Sequence, residues 1–292
     1  MHGRLLTNRA PGATAFARVW PPSLDTREYF MHRIKQFIVA ALVLLLPQAH
    51  GQTSQKVVDI PTRPGVTQRM LVLAPAEPKA AVVLLAGGHG GLQLFPNGSM
   101  RWGEGNFLVR SRQLFADQGL LVAVVDAPSD RQSPPYLQGF RQTPEHAADI
   151  KAVVAWLREN AKVPVWLVGT SRGTQSAAYV ATELSGQDGP DGLVLTSTIL
   201  SDKRGRPVPA MPLGNIKLPV LVVHHEHDGC SSCAFTEVPA LMSKLSNAPR
   251  SQLLAFQGGE NKGDPCEAFA YHGFNGLEAE VVRQTADWLL KK

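Results

Sequence analysis

Val163-Pro164-Val165-Trp166-Leu167-Val168-Gly169-Thr170-Ser171-Arg172-Gly173 runs on into Thr174-Gln175-Ser176-Ala177-Ala178-Tyr179-Val180-Ala181. A short β-branched, apolar run ends at a glycine, and a helix-compatible segment of small residues starts a few positions later. The pattern predicts a strand, a sharp turn and a helix, with Ser171 at the apex of a G-x-S-x-G turn that lifts a serine hydroxyl above a sheet. Without Cβ atoms at Gly169 and Gly173, strand and helix can come close enough to close the turn. Ser176, Ala177 and Ala178 then let the helix lie tight on the sheet.

In a chain with 26 glycines the five-letter pattern is weak alone, and its surroundings give it weight. Ala80-Ala81-Val82-Val83-Leu84-Leu85-Ala86 reads as a strand covered on both faces and breaks at Gly87-Gly88-His89-Gly90-Gly91. Residues 101–118 read as a first long helix stopped by Gly119, and residues 119–125 as another buried strand. The acids of the following Asp126-Ala127-Pro128-Ser129-Asp130 read as loop caps. An amphipathic helix follows over 145–160, then strands at 192–197, 218–224 and 251–256 and a terminal helix over 277–290. Residues 57–60 and 68–73 read as two antiparallel edge strands. Strands alternating with helices predict an α/β, doubly wound, mostly parallel sheet with helices on both faces.

Downstream of Ser171 stands His224-His225-Glu226-His227-Asp228 at a strand end, and then one last histidine, His272, in Tyr271-His272-Gly273-Phe274. Read for metal, the first cluster has enough ligand types, but an extended strand end sends alternate side chains to opposite faces. No metal or cofactor is therefore expected.

With these residues in view, the chain from about Val57 onward resembles the α/β-hydrolase family, and most nearly its small exported bacterial members. The likeness rests on the G-x-S-x-G turn, Gly-Gly-His-Gly-Gly, Asp-Ala-Pro-Ser-Asp and His-Gly-Phe. It implies a Ser171, Asp228, His272 triad in the family's chain order, with His225 where the family's acid loop carries glycine and Glu226 as the fallback acid. It also implies an oxyanion hole built from backbone N–H groups of Gly88 or His89 and of Arg172, with the His89 ring lining the pocket. The expected activity is hydrolysis of an ester or related small acyl substrate through an acyl-enzyme on Ser171. An acyltransferase with the same triad and a non-catalytic binding protein on the same fold are the alternatives. Only about twenty residues join the strands at 192–197 and 218–224, where many family members insert a lid, so no large cap domain is expected. Arg172 and Arg131 are candidates for holding an anionic part of a substrate.

Composition bounds the rest. The chain has 292 residues, 44% hydrophobic and 18% charged, which suits one globular α/β domain over 52–292. Residues 31–51 join a basic start, an apolar run at 37–46 and small residues like a signal-peptidase site, too short to span a bilayer. They predict a secretory signal peptide starting at Met31, a periplasmic or secreted location with no stable membrane insertion after cleavage, and an upstream extension, 1–30, that is not native. Arg4, Arg9, Arg18, Arg27, Arg33 and Lys35 lie there against Asp25 and Glu28; without these eight, 29 basic and 24 acidic residues become 23 and 22. A chain near neutrality gives no basis for nucleic-acid binding. Three cysteines would meet an oxidising compartment, and a bridge to Cys266 would tie the acid loop to the base loop; Cys230–Cys266 is favoured because Cys230 is nearer the acid, with Cys233–Cys266 and a local or absent bridge as the alternatives.

Overall fold

The computed structural model describes residues 53–291; the expected extension and signal peptide lie outside the described residues. Eight strands form one sheet: β1 (Ser54–Arg63), β2 (Val66–Ala74), β3 (Ala80–Leu85), β4 (Leu120–Val125), β5 (Val165–Thr170), β6 (Gly192–Thr196), β7 (Val220–His225) and β8 (Ser251–Phe256). Their spatial order is β1-β2-β4-β3-β5-β6-β7-β8. β1, β2 and β4 pair antiparallel; every other neighbouring pair is parallel.

Strand periodicity divides the core. Ala81, Val83 and Leu85 of β3 face one layer, with Ile150, Val153, Val154 and Leu157 of α3 (Pro144–Ala161) and Ala177, Ala178 and Ala181 of α4 (Gly173–Glu183). Val82 and Leu84 face the other, with Phe107 and Leu108 of α1 (Phe107–Arg110), Phe115 of α2 (Arg112–Asp117) and Val281, Val282 and Trp288 of α6 (Glu278–Leu290). A short α5 (Val238–Ser243) completes the first layer. Each inner strand is thus apolar on both faces, as a sheet sandwiched between helices requires.

Two expectations need correcting. β2 is not an edge strand: Met70 to Leu73 are at most 1% exposed, and β2 pairs with β1 on one side and β4 on the other. Its continuous apolar run fits that interior position better than an edge. The long helix over 101–118 is two short helices, α1 and α2, separated at Ser111 and preceded by a loop. Gly103 sits at φ 90°, and the Asn106 side chain accepts from Leu108 N–H to start α1 late. Tertiary packing overrides helix propensity here, because Trp102 N–H donates to Leu92 O and its ring covers Gly88.

β6 passes to β7 through 3-10 turns at Val208–Ala210 and Leu213–Asn215, with no large cap domain. The carboxyl ends of the parallel strands therefore open onto a shared rim.

Candidate active site

The turn after β5 is closed by its glycines. A Cβ on Gly169 would fall 2.5 Å from the Gly173 carbonyl oxygen, and one on Gly173 would overlap the carbonyl of Leu85 on the neighbouring strand. Between them Ser171 takes φ 50°, a left-handed conformation that a non-glycine residue holds only when its surroundings enforce it. They do so here by backbone: Ser171 N–H donates to Thr196 O at 3.0 Å, while its carbonyl accepts from Thr174 Oγ1 at 2.6 Å and Thr174 N–H at 2.9 Å. The side chain stands at the head of α4, on the wall of a cavity of about 620 Å³.

His272 reaches the same cavity from the loop before α6, in a 3-10 turn at Tyr271–Gly273. Asp228 comes from the loop after β7, and its Oδ2 lies 2.9 Å from His272 Nδ1. A carboxylate can only accept, so Nδ1–H donates to it and Nε2 is left as the acceptor. That Nε2 is buried and has no partner among the described residues. Asp228 Oδ1 is taken up by Cys230 N–H at 2.9 Å, which fixes the carboxylate plane. Glu226, the fallback acid, instead accepts from Gln257 at 2.6 Å in an exposed position.

Gly88, His89 and Arg172 are all near the turn, but not on one wall. Gly88 and Arg172 line the Ser171 cavity; His89 lines an adjoining one. Among the described residues, the backbone N–H groups of all three donate to no protein acceptor. Gly88 has φ 54°, and a Cβ there would strike the Trp102 ring at 2.6 Å. The His89 ring lies between Trp102 at 3.9 Å and Tyr136 at 4.3 Å, and its Nδ1 accepts from Gly91 N–H. Burial, then the Arg141 charge, holds its pKa below the usual histidine range, so it is a neutral packed ring.

The bridge is Cys230–Cys266, and both cysteines line the Ser171 cavity. Cys233 is a buried free thiol whose Sγ lies within 4.8 Å of Cys230 Sγ and of a His272 ring nitrogen, and burial pushes its pKa well up. With Cys230 oxidised this trio is no metal site. His224 and His225 do not converge either: His224 Nε2 accepts from Thr198 N–H, while His225 Nδ1 accepts from His227 N–H and its Nε2 pairs with Gly258 O.

No protein-family model matches the chain, and no curated protein matches it. Solved structures do. An esterase of Pyrococcus furiosus, Pf2001, superposes with a TM-score of 0.59 at 16% identity over 81% of this chain and 91% of that one. A dienelactone hydrolase from Anabaena variabilis gives 0.55 at 15% identity over 82% and 98%. XC6422 from Xanthomonas campestris, described as an a/b serine hydrolase without lid, gives 0.50 at 16% identity over 82% and 97%. The mostly parallel eight-stranded sheet flanked by helices, without a large cap domain, matches these neighbours. The chain has the α/β-hydrolase fold.

On this hydrolase fold three positioning residues were not visible in the sequence. Arg141, 5% exposed, donates to the carbonyls of Ala86 at 3.0 Å and Gly88 at 3.2 Å and so holds the carbonyl groups of the glycine loop in place. Ser197, at φ 44° just after β6, donates to the His272 carbonyl at 2.6 Å. Arg110 bonds Gly105 O and Gly273 O, both at 2.6 Å, and so ties the loop before α1 to the His272 loop. Asp126 is a cap, as expected, and an extensive one: its carboxylate accepts from Leu92, Gln93, Leu94 and Ala127 N–H groups. Of the two arginines considered for an anion, Arg172 is paired with Asp202 at 2.8 Å, while Arg131 is exposed, lies over the Phe140 ring at 4.6 Å and lines neither cavity.

Proposed function

We propose that the chain is a serine hydrolase that cleaves an ester or related acyl compound through an acyl-enzyme on Ser171. The observation that carries this reading is the Asp228–His272 pair at 2.9 Å, with His272 Nε2 unpartnered beside the cavity that Ser171 lines. In the first step Ser171 Oγ attacks the acyl carbonyl carbon while His272 Nε2 takes its proton, and Asp228 stabilises the imidazolium. Negative charge gathers on the carbonyl oxygen, where the N–H groups of Arg172 and of Gly88 or His89 receive it. The imidazolium then protonates the leaving alcohol, and water attacks the acyl-enzyme with His272 again as base. The short β6–β7 connection leaves water free access, which favours hydrolysis over acyl transfer.

The protein is read as exported, on the pattern at 31–51, and intact-mass measurement of the protein recovered from a bacterial periplasm should find a mature start near Gln52.

A fluorophosphonate should add one adduct, mapped to Ser171, and none to Ser171→Ala. Ser171→Ala and His272→Ala should each lower kcat for p-nitrophenyl acetate by about a thousandfold or more, and the double variant by little more. Wild-type turnover by Ser171→Ala would end this proposal.

A further inference from the structure

Beside the Ser171 cavity lies a second one of about 450 Å³, with Arg141, Arg172, Arg204 and Arg206 on its walls against a single acid, Asp202. Asp202 is already engaged, by Arg172 at 2.8 Å and by Gln175 Nε2 at 3.1 Å. The other three guanidiniums have only neutral partners or none. Arg206 Nε donates to Gln142 Oε1 at 2.9 Å, and Arg204 makes no ion pair among the described residues. Arg141 is the telling case: it is buried, and it donates to Ser176 Oγ and to backbone carbonyls. Its Nε has no partner.

Buried charges in proteins are paired, because an isolated one is costly to desolvate. Here the fold makes room for the unpaired charge: a Cβ on Gly90 would come 2.5 Å from the Arg141 guanidinium. Burial and the charge of Arg172 lower the Arg141 pKa to about 9, which still leaves it cationic at neutral pH. The cavity therefore holds three positive charges that no protein anion answers. It also adjoins the chemistry, since Gly88, Arg172 and Arg204 line both cavities.

We propose that this second cavity is a subsite for a carboxylate of the substrate, so that the acyl compound cleaved at Ser171 is a monoester of a dicarboxylic acid. This rests on the reading of Ser171 as nucleophile. Arg204 and Arg206 are exposed at the cavity mouth and can turn their planar forks onto a carboxylate, while Arg141 supplies a fixed positive field from below.

The test compares mono-p-nitrophenyl succinate, glutarate and adipate with neutral p-nitrophenyl esters of matching chain length. At least one anionic ester should show kcat/KM about tenfold or more above its neutral partner, expressed mainly in KM and shrinking as salt is added. Arg206→Gln and Arg204→Gln should each collapse that ratio. Neutral esters turned over as well as, or better than, every anionic one would overturn the subsite and leave the hydrolase reading intact. If no ester of either kind were turned over, the hydrolase reading would fail, and calorimetric titration of Ser171→Ala with glutarate would judge the cavity alone. Saturable binding that Arg206→Gln abolishes supports it, and no binding at millimolar glutarate refutes it.

Discussion

Ser171 stores backbone strain of roughly 1–2 kcal/mol at φ 50°, and Ser197 and Phe274, which flank the base loop, do the same at φ 44° and 54°. Such conformations persist because neighbours leave the chain no other course, and Gly173 is the clearest of those neighbours. Gly173→Ala would push a methyl group into the Leu85 carbonyl, so either the β3–β5 spacing or the turn must give way. We expect a loss of about 2–3 kcal/mol in a urea unfolding titration together with most of the fluorophosphonate labelling; a variant as stable and as reactive as the parent would show that the turn does not depend on this contact. Gly169, Ser171 and Gly173 were legible in the sequence because their constraints are local. Asp228 and His272 were legible as neighbours through their order and their places after strands. Arg141 and Ser197 were not, since each acts on a backbone carbonyl 55 or 75 positions away and leaves no pattern in its own segment.

At the scale of elements, the alternation of strand and helix was readable wherever burial is uniform, as in β3 to β7. It failed where a segment serves a neighbour instead of itself: 101–106 forms no helix because Trp102 is needed over Gly88. The segment after β8 is similar, with no regular structure from Gln257 to Ala270, yet it forms part of the wall facing Ser171. Its fastening to the acid loop is the Cys230–Cys266 bridge, which closes a loop with a sequence separation of 36. On the chain-entropy model that closure contributes up to roughly 4 kcal/mol. The Cys230→Ser/Cys266→Ser double variant should therefore unfold at lower urea concentration, and its kcat for p-nitrophenyl acetate should fall as Asp228 loses its fixed place beside His272. An unchanged midpoint and rate would mean that the loop holds its position without the bridge.

Among the described residues, burial holds two histidines, His146 and His224, far below the usual histidine range, so that both are neutral rings. Burial, followed by the charges of Arg141 and Arg63, lowers the pKa of His146 to about 3; burial, opposed in part by Asp228, lowers that of His224 to about 4. As pH falls through 6.5 the unfolded chain binds protons at both positions, whereas the native state refuses them until pH 4 and 3. Stability is thus full above pH 6.5 and is lost below it, by about 1.4 kcal/mol per pH unit for each ring, or roughly 5 kcal/mol in all at pH 4.5. Thermal unfolding at pH 7.5, 6.5, 5.5 and 4.5 should trace that decline. His146 has no hydrogen-bond partner at either nitrogen, so His146→Leu should flatten the slope by about half, and an unaltered slope would assign the acid sensitivity elsewhere.

Cys233 sits beside the bridge as a potential rival for it. Thiol–disulfide exchange requires a thiolate, and burial keeps the Cys233 sulfur protonated although it lies within 4.8 Å of Cys230 Sγ. Burial thereby disfavours a swap to Cys230–Cys233, which would release Cys266 and the wall it holds. The same burial that excludes Cys233 from any surface chemistry makes it the guardian of a connection it does not share.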